Sequence, residues 1–220
     1  NNSGYNAVSA NDSTFFGQNA GGELNGNNAI YPALPGAGTY ATNAAYSSFV
    51  GTNAGAGATN ASQSNFLGVE AGLGATGYSG NIINGGNNPD GFNSNYLGYQ
   101  AGKGATFADH SNFLGYQAGF GAVGVQGTDF NASFLGEYAG YQATNAFNAN
   151  FLGKNAGYQA TYATNSNFIG NGAGYQATNA SNSNFSGTDA GSAAINAARS
   201  NFGGYQAGYQ ARQADQSNFT

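Results

Sequence analysis

The sequence contains no cysteine, no methionine and no tryptophan, and only three prolines in 220 residues. Without cysteine there is no disulfide framework, no thiolate metal site and no thiol nucleophile. Charge is scarce as well: 6% of residues are Asp, Glu, Lys or Arg, against about a quarter in ordinary globular proteins. The four basic residues, Lys103, Lys154, Arg199 and Arg212, sit in a chain of net charge −5, which argues against a nucleic-acid partner. No apolar run approaches the ~18 residues of a membrane span, so no part of this segment is expected to insert in a bilayer. There is no initiating Met and no signal-peptide pattern, and the chain stops at Phe219-Thr220, just inside a new repeat. It reads as a processed chain or an excerpt of a longer one.

What the sequence has is glycine, 38 residues of it, and repetition. Gly, two residues, then Ala-Gly occurs ten times, and Phe134, Phe151, Phe168, Phe185, Phe202 and Phe219 are spaced 17 residues apart. Phe49 and Phe66, and Tyr96 and Phe113, stand at the same interval. Phe and Tyr total 31 and recur in register, which a solvated disordered chain has no reason to do. A short fixed period makes each unit one rung of a stack, unable to bury its apolar face alone.

With the marker aromatic as the first position, the consensus is F-L-G-x-x-A-G-Y-Q-A-T-N-A-x-x-S-N. Full repeats start at Phe15, Phe49, Phe66, Tyr96, Phe113, Phe134, Phe151, Phe168, Phe185 and Phe202, and Pro32–Ser48 fits as a degenerate further one. Gly at the third and seventh positions predicts two tight corners per rung. The segments between are too short and Gly-broken for helices, each interior Gly costing ~1 kcal/mol. The fold class is therefore all-β: a parallel β-solenoid (β-roll or β-helix) with one coil per 17-residue repeat. The whole of 1–220 is one repeat array, irregular over 1–48 and interrupted near 77–93 by 13 extra residues and near 123–132 by four.

Alternation along S-N-F-L-G sends the first and second positions to opposite faces of a strand. One apolar column fills the interior. The other, Leu67, Leu97, Leu114, Leu135, Leu152 and Ile169, is left outside as a continuous stripe and is the candidate oligomer interface. The closing Asn (Asn65, Asn95, Asn112, Asn150, Asn167, Asn184, Asn201) is expected to stack as an amide ladder, and Tyr141, Tyr158, Tyr175 and Tyr209 as a phenol column. Insertions in solenoids emerge as loops on one face, so Asn84, Asn87 and Asp90, with Thr128 and Asp129, are the candidate recognition loops. The insertion at 123–132 is read as centred on Val125, Thr128, Asp129 and Phe130.

Chemistry-bearing residues are few. His110 lies in Asp109-His110-Ser111, but neighbours on a strand point to opposite faces and make a poor relay, and Ser111 belongs to the repeated S-N column. The nine acids are dispersed, without the periodic Asp of a calcium ladder. No catalytic residue, metal site or cofactor is expected, and an enzyme is the least favoured class. The eleventh position carries Thr59, Thr76, Thr106, Thr144, Thr161 and Thr178, a single column interrupted by Asn25, Val123, Ile195 and Arg212. A row of threonines at the rung spacing is the feature that admits an ice-binding alternative.

The S-N-F-L-G-x-x-A-G element, as in Phe134-Leu135-Gly136 with Ala139-Gly140 and Phe151-Leu152-Gly153 with Ala156-Gly157, resembles the head repeats of trimeric autotransporter adhesins. It looks closer still to the F-L-G-Y-Q-A-G-Y repeats of bacterial surface fibres and phage tail-fibre-like proteins. The resemblance implies a left-handed parallel β-roll, a homotrimer, and an extracellular, cell-surface or virion location. The A-G-Y-Q-A-T-N-A half is also similar to the repeats of bacterial ice-nucleation proteins. The expected function is a structural one: the shaft or head of an extracellular fibre or adhesin. It would associate with copies of itself and attach to surface glycans or a host cell surface. The alternatives are an ice-binding solenoid, or a surface filament polymerising end to end.

Overall fold

The computed structural model describes residues 4–5, 13–17, 21–22, 41–42, 46–60, 63–76, 93–124 and 130–220. Among these the chain is all-β, with no helix. An eleven-stranded parallel sheet runs from Thr14–Phe16 and Ser48–Val50 through successive three-residue strands to Asn201–Gly203 and Asn218–Phe219. Each strand pairs with the next in register, Phe on Phe, as in Phe134↔Phe151 and Phe168↔Phe185. A second ladder of single-residue parallel bridges runs up the eleventh position, from Thr42↔Thr59 to Ile195↔Arg212. This is the expected β-solenoid with one coil per repeat.

The backbone path is more contorted than two corners per coil. In the rung of Phe151, Gly153 (φ 129), Asn155 (56), Gly157 (64), Gln159 (52), Tyr162 (52) and Asn165 (54) all have positive φ. A non-glycine residue in the left-handed region costs about 1–2 kcal/mol, least for Asn and Asp. The conformation is held because it flips alternate peptides along the rod axis. The N–H groups of Asn155, Gln159, Tyr162 and Asn165 donate to Glu137, Tyr141, Thr144 and Phe147 of the preceding rung at 2.7–3.1 Å. Those of Asn150, Gly157 and Thr161 donate to Ser166, Ala173 and Ala177 of the following rung, each at 2.9 Å. A three-residue strand thus belongs to a coil that bonds in both directions around its circumference.

The core is narrow. Phe49, Phe66, Tyr96, Phe113, Phe134, Phe151, Phe168, Phe185 and Phe202 are buried, surrounded by alanines from the sixth, tenth and thirteenth positions such as Ala156, Ala160 and Ala163. Phe134, Phe151, Phe168, Phe185 and Phe202 stack with centroids 4.7–4.8 Å apart and planes within 7°. With the planes in contact at ~3.5 Å, that separation means a slip of ~3 Å, the offset arrangement that the ring quadrupole favours. Each buried ring contributes about 1.5–3 kcal/mol of transfer free energy. Tyr96 replaces Phe and stays buried, its hydroxyl 3.5 Å from the Ala108 carbonyl, and burial pushes the phenol well above its ordinary pKa.

Phe15 pairs directly with Phe49, and within the degenerate repeat Thr42 pairs with Thr59; most of Pro32–Ser48 lies outside the described residues. One expectation requires correction. Phe130 does not belong to an outward insertion. It is buried, with its ring edge-on to Phe113 at 6.3 Å and Phe134 at 5.9 Å. The rung keeps its register on both sides of Phe130, since Asn131 donates to the Asp109 carbonyl and Asn148 to that of Phe130. An aromatic too large to leave in water fills the core where the array is interrupted.

The two consensus glycines and a third, variable one do different work. A Cβ on Gly136 would lie 2.6 Å from the Gly153 carbonyl oxygen, and the same backbone-on-backbone contact recurs up the third position. A Cβ on Gly140 would overlap the Phe134 ring of its own rung. Gly104, at the ninth position, would meet nothing within 4 Å, and later rungs place Gln142, Gln159 and Gln176 there. Gly136→Ala is therefore expected to lower stability by at least about 2–4 kcal/mol, as a clash that the core cannot absorb. Gly104→Gln, which meets no neighbour, should cost only the left-handed backbone term of about 1–2 kcal/mol. Thermal or denaturant unfolding of the two variants checks the contrast, and equal losses would contradict it.

Candidate interaction surface

The outward face of the eleven-stranded sheet is built from the closing Asn and the Leu of each repeat, because the Phe between them points inward. Burial follows that alternation: in Asn65–Leu67 and Asn150–Leu152 the outer two residues are exposed and the Phe buried. Leu67, Leu135, Leu152 and Ile169 are 37%, 38%, 37% and 46% exposed, while Leu97 and Leu114 are half-buried. The six form one stripe along the rod, held in line by the pairings Leu67↔Leu97, Leu97↔Leu114, Leu114↔Leu135 and onward. On three of these rungs the fourth position adds Val69, Tyr99 and Tyr116, each 43–45% exposed, so the stripe is widest there. It closes at Ser186 and Gly203, where the Leu column ends.

Beside the stripe the closing asparagines form the expected ladder. Asn65 donates to Asn95 and Asn95 to Asn112, each at 2.7 Å. Asn150, Asn167, Asn184 and Asn201 each donate to the next rung at 2.8–3.0 Å. Ser133 interrupts the series. Further amide rows run elsewhere on the rod, Gln176 to Gln159 to Gln142 and Asn148 to Asn165 to Asn182. Tyr141, Tyr158 and Tyr175 stack at 4.9 and 5.0 Å, with Phe120 heading the column at 5.1 Å from Tyr141. Tyr209 stands apart from this stack because Ser192 occupies the intervening rung.

The buried serines were legible only as a column, not as a device. The N–H groups of Ser183 and Ser200 each donate at 3.0 Å to the hydroxyl of the serine one rung earlier, Ser166 and Ser183. The hydroxyls of Ser166 and Ser183 donate in turn to the Ala180 and Ala197 carbonyls at 2.7 Å. Ser111 follows this pattern: its hydroxyl donates to the main-chain carbonyl of Asp109 and accepts from the N–H of Ala132. That hydroxyl is spent on backbone, and the Asp109-His110-Ser111 run forms no relay through it. His110 instead lies 3.3 Å from Asn93, one rung away.

The candidate recognition residues Asn84, Asn87, Asp90, Thr128 and Asp129 lie outside the described residues. Among the described residues no group of three or more His, Asp or Glu is gathered as a metal would need, and no helix is long and apolar enough to cross a membrane. An open groove lined by Asn179, Asn196, Ala198, Gln213 and Asp215 lies on the amide-bearing side, where Asp215 accepts the Ala198 N–H at 2.8 Å. No protein-family model matches this chain, and no curated protein or solved structure matches it at a significant level.

Two ion pairs among the described residues join successive rungs. Lys154 lies 3.1 Å from Glu137 and Lys103 2.6 Å from Glu70. Hydrogen bonds from Lys103 and then Gln100 hold the Glu70 carboxyl below its ordinary pKa. A depressed folded-state pKa contributes stability that is present above the unfolded value, near ~4.3, and is lost as pH falls through the lower folded value. Glu70→Gln should therefore lower stability above about pH 5 by less than about 1 kcal/mol and flatten the acid limb, the two profiles converging near pH ~2.5. Unfolding midpoints measured from about pH 6 down to about pH 2.5 check this, and an unchanged acid limb would contradict it.

Proposed function

We propose that this chain is a structural component of an extracellular fibre or adhesin, a β-solenoid shaft or head that associates side by side with copies of itself. The observation supporting this is the Leu67-to-Ile169 stripe, which is apolar, continuous and outward. Eleven strands at ~4.8 Å make a face ~48 Å long, and the five positions from the closing Asn to the fourth residue are ~16 Å wide. That gives roughly 750–800 Å² for the whole outward face, close to the ~800 Å² per partner of a standard protein interface, of which the apolar stripe from Leu67 to Ile169 spans about half. Burying half-exposed leucines at ~25 cal/mol per Å² is the driving term; the leucine column itself carries no charge, and Glu137 and Lys154 beside it are paired with each other. The resemblance to adhesin heads favours a trimer, and the inserted segments carrying Asn84 and Thr128 are the places assigned to contact with glycans or a cell surface.

The test is sedimentation of the chain and of a variant carrying Leu97→Lys, Leu135→Lys and Ile169→Lys, which stand on alternate rungs so that the added charges do not stack on one another. These side chains point away from the core, and lysine stems cover apolar surface, so the variant should keep its unfolding midpoint within a few degrees. The parent is expected to sediment as an oligomer and the variant as a monomer. A parent that is monomeric at micromolar concentration overturns the reading.

One observation favours a second reading. The bridges Thr42↔Thr59↔Thr76↔Thr106 and Thr144↔Thr161↔Thr178 align the threonines on successive rungs, half-exposed, as an ice-binding row would require. Val123, Ile195 and Arg212 share the row, and no second threonine row accompanies it. Thermal hysteresis that disappears on replacing Thr144, Thr161 and Thr178 with Tyr would establish ice binding in place of the fibre reading. Absence of hysteresis in the parent disposes of it.

A further inference from the structure

Methionine, cysteine and tryptophan, the side chains that ordinarily absorb oxidation first, are all missing from this chain, while tyrosine occurs 15 times. One-electron oxidation therefore has tyrosine as its natural end point. The tyrosines are not scattered. Tyr99 and Tyr116 stack at 5.1 Å with planes 14° apart, and Tyr138 meets Tyr116 edge-on at 5.3 Å. Tyr138 also contacts Tyr141 at 5.9 Å, and Tyr141, Tyr158 and Tyr175 continue as a stack at 4.9 and 5.0 Å. Six tyrosines from five successive rungs thus form one chain of touching rings.

We propose that Tyr99 and Tyr116 are an oxidative cross-linking site, joined as dityrosine by a peroxidase using hydrogen peroxide. The pair is set apart by freedom as well as proximity. Tyr99 and Tyr116 are 43% and 45% exposed, whereas Tyr141 and Tyr158 are half-buried with a ring against each face. Tyr99 stacks on one ring only among the described residues, so it can swing its edge toward Tyr116 on the next rung. Coupling requires that swing, because parallel faces do not bring ring carbons to bonding distance. The remaining tyrosines act as a relay: an oxidised ring at Tyr158 or Tyr141 recovers its electron from a neighbour, and the vacancy moves through Tyr138 to the exposed pair.

The chemistry balances without further reagents. Each phenol loses one electron and its hydroxyl proton, and one hydrogen peroxide takes up both electrons and both protons to give two waters. The two phenoxyl radicals join through one carbon–carbon bond between the ring positions next to the hydroxyls. The hydrogens displaced from those carbons return to the two oxygens. The link ties consecutive rungs along the rod within one chain, and because Tyr99 and Tyr116 border the leucine stripe it forms on a rod whose stripe is uncovered.

The chain's four basic residues make the test direct. Trypsin cuts after Lys103 and Lys154, so Tyr99 lies in the fragment 1–103, Tyr116, Tyr138 and Tyr141 in 104–154, and Tyr158 and Tyr175 in 155–199. The parent, Tyr99→Phe and Tyr116→Phe are treated with a haem peroxidase and hydrogen peroxide. The monomeric fraction is recovered in denaturant, digested and weighed by mass spectrometry. The expected product in the parent is 1–103 joined to 104–154, lighter by two hydrogens than the sum of the two peptides and fluorescent as dityrosine. Both Phe variants keep the ring and the fold and should lose that product at least tenfold. Persistence of the joined pair in either variant, its replacement by 104–154 joined to 155–199, or coupling confined to intermolecular products would each overturn the assignment.

Discussion

Main-chain hydrogen bonding from rung to rung, at a register that places each residue over its counterpart one repeat away, is the constraint on which the rest depends. It operates around the whole coil because recurring positive-φ residues re-aim the backbone, so that N–H groups such as those of Asn155 and Gln159 donate to the preceding rung while those of Gly157 and Thr161 donate to the following one. Glycine at the third position lets successive backbones lie on one another without a Cβ between them. Once that register is set, every side chain is stacked on a similar one at ~4.8 Å. Phenylalanines and amides tolerate such self-stacking and gain from it. Like charges do not: at ~4.8 Å two unit charges repel by about 0.9 kcal/mol even in water, and several-fold more near a protein surface. This is the physical reason that only 6% of residues are charged, and why Glu137 is followed one rung later by Lys154 and not by another acid.

A column that stacks on itself has consequences for what the molecule can do. The interior is one file of rings with alanines around it, too narrow for a ligand cavity. Everything available for recognition is therefore on the outside, as rows parallel to the axis: leucine, asparagine, glutamine, threonine and tyrosine. Rows of this kind suit partners that are themselves extended or repeated, which is why a second copy of the rod is the partner proposed for the leucine stripe. The tyrosine rows lie beside it, and covalent linkage there would stiffen the rungs along the direction in which hydrogen bonds already run.

The interruptions show how much the stack tolerates. The 13 residues added between the rungs of Phe66 and Tyr96 leave those rings 5.2 Å apart, with Leu67 still paired to Leu97. Loop length costs little once the ends are fixed, since closure entropy grows only with its logarithm. Between Phe113 and Phe134 the four added residues bring Phe130 into the core, and the two flanking rings still stack at 4.9 Å. Register along the axis is conserved by the backbone ladder; variation is pushed off it.

The sequence by itself determined the period, the all-β solenoid, the inward Phe column, the outward Leu column and the Asn ladder. Each of these follows from spacing along one chain, since a repeat of 17 superposes identical positions and a strand alternates its faces. Only the tertiary structure decided how the columns lie side by side. That depends on the path of the coil between its strands, which rests on six positive-φ residues per rung, most of them Asn, Gln, Tyr or Gly with no single signature. Hence the serine hydroxyls that cap the next rung, the burial of Phe130, and the direct pairing of Phe15 with Phe49 were not legible beforehand. The contact of Tyr138 with both Tyr116 and Tyr141, which joins two columns into one network, belongs with them. Periodicity fixes what stacks on what; the turn geometry, set by hydrogen bonds in three dimensions, fixes what stands next to it.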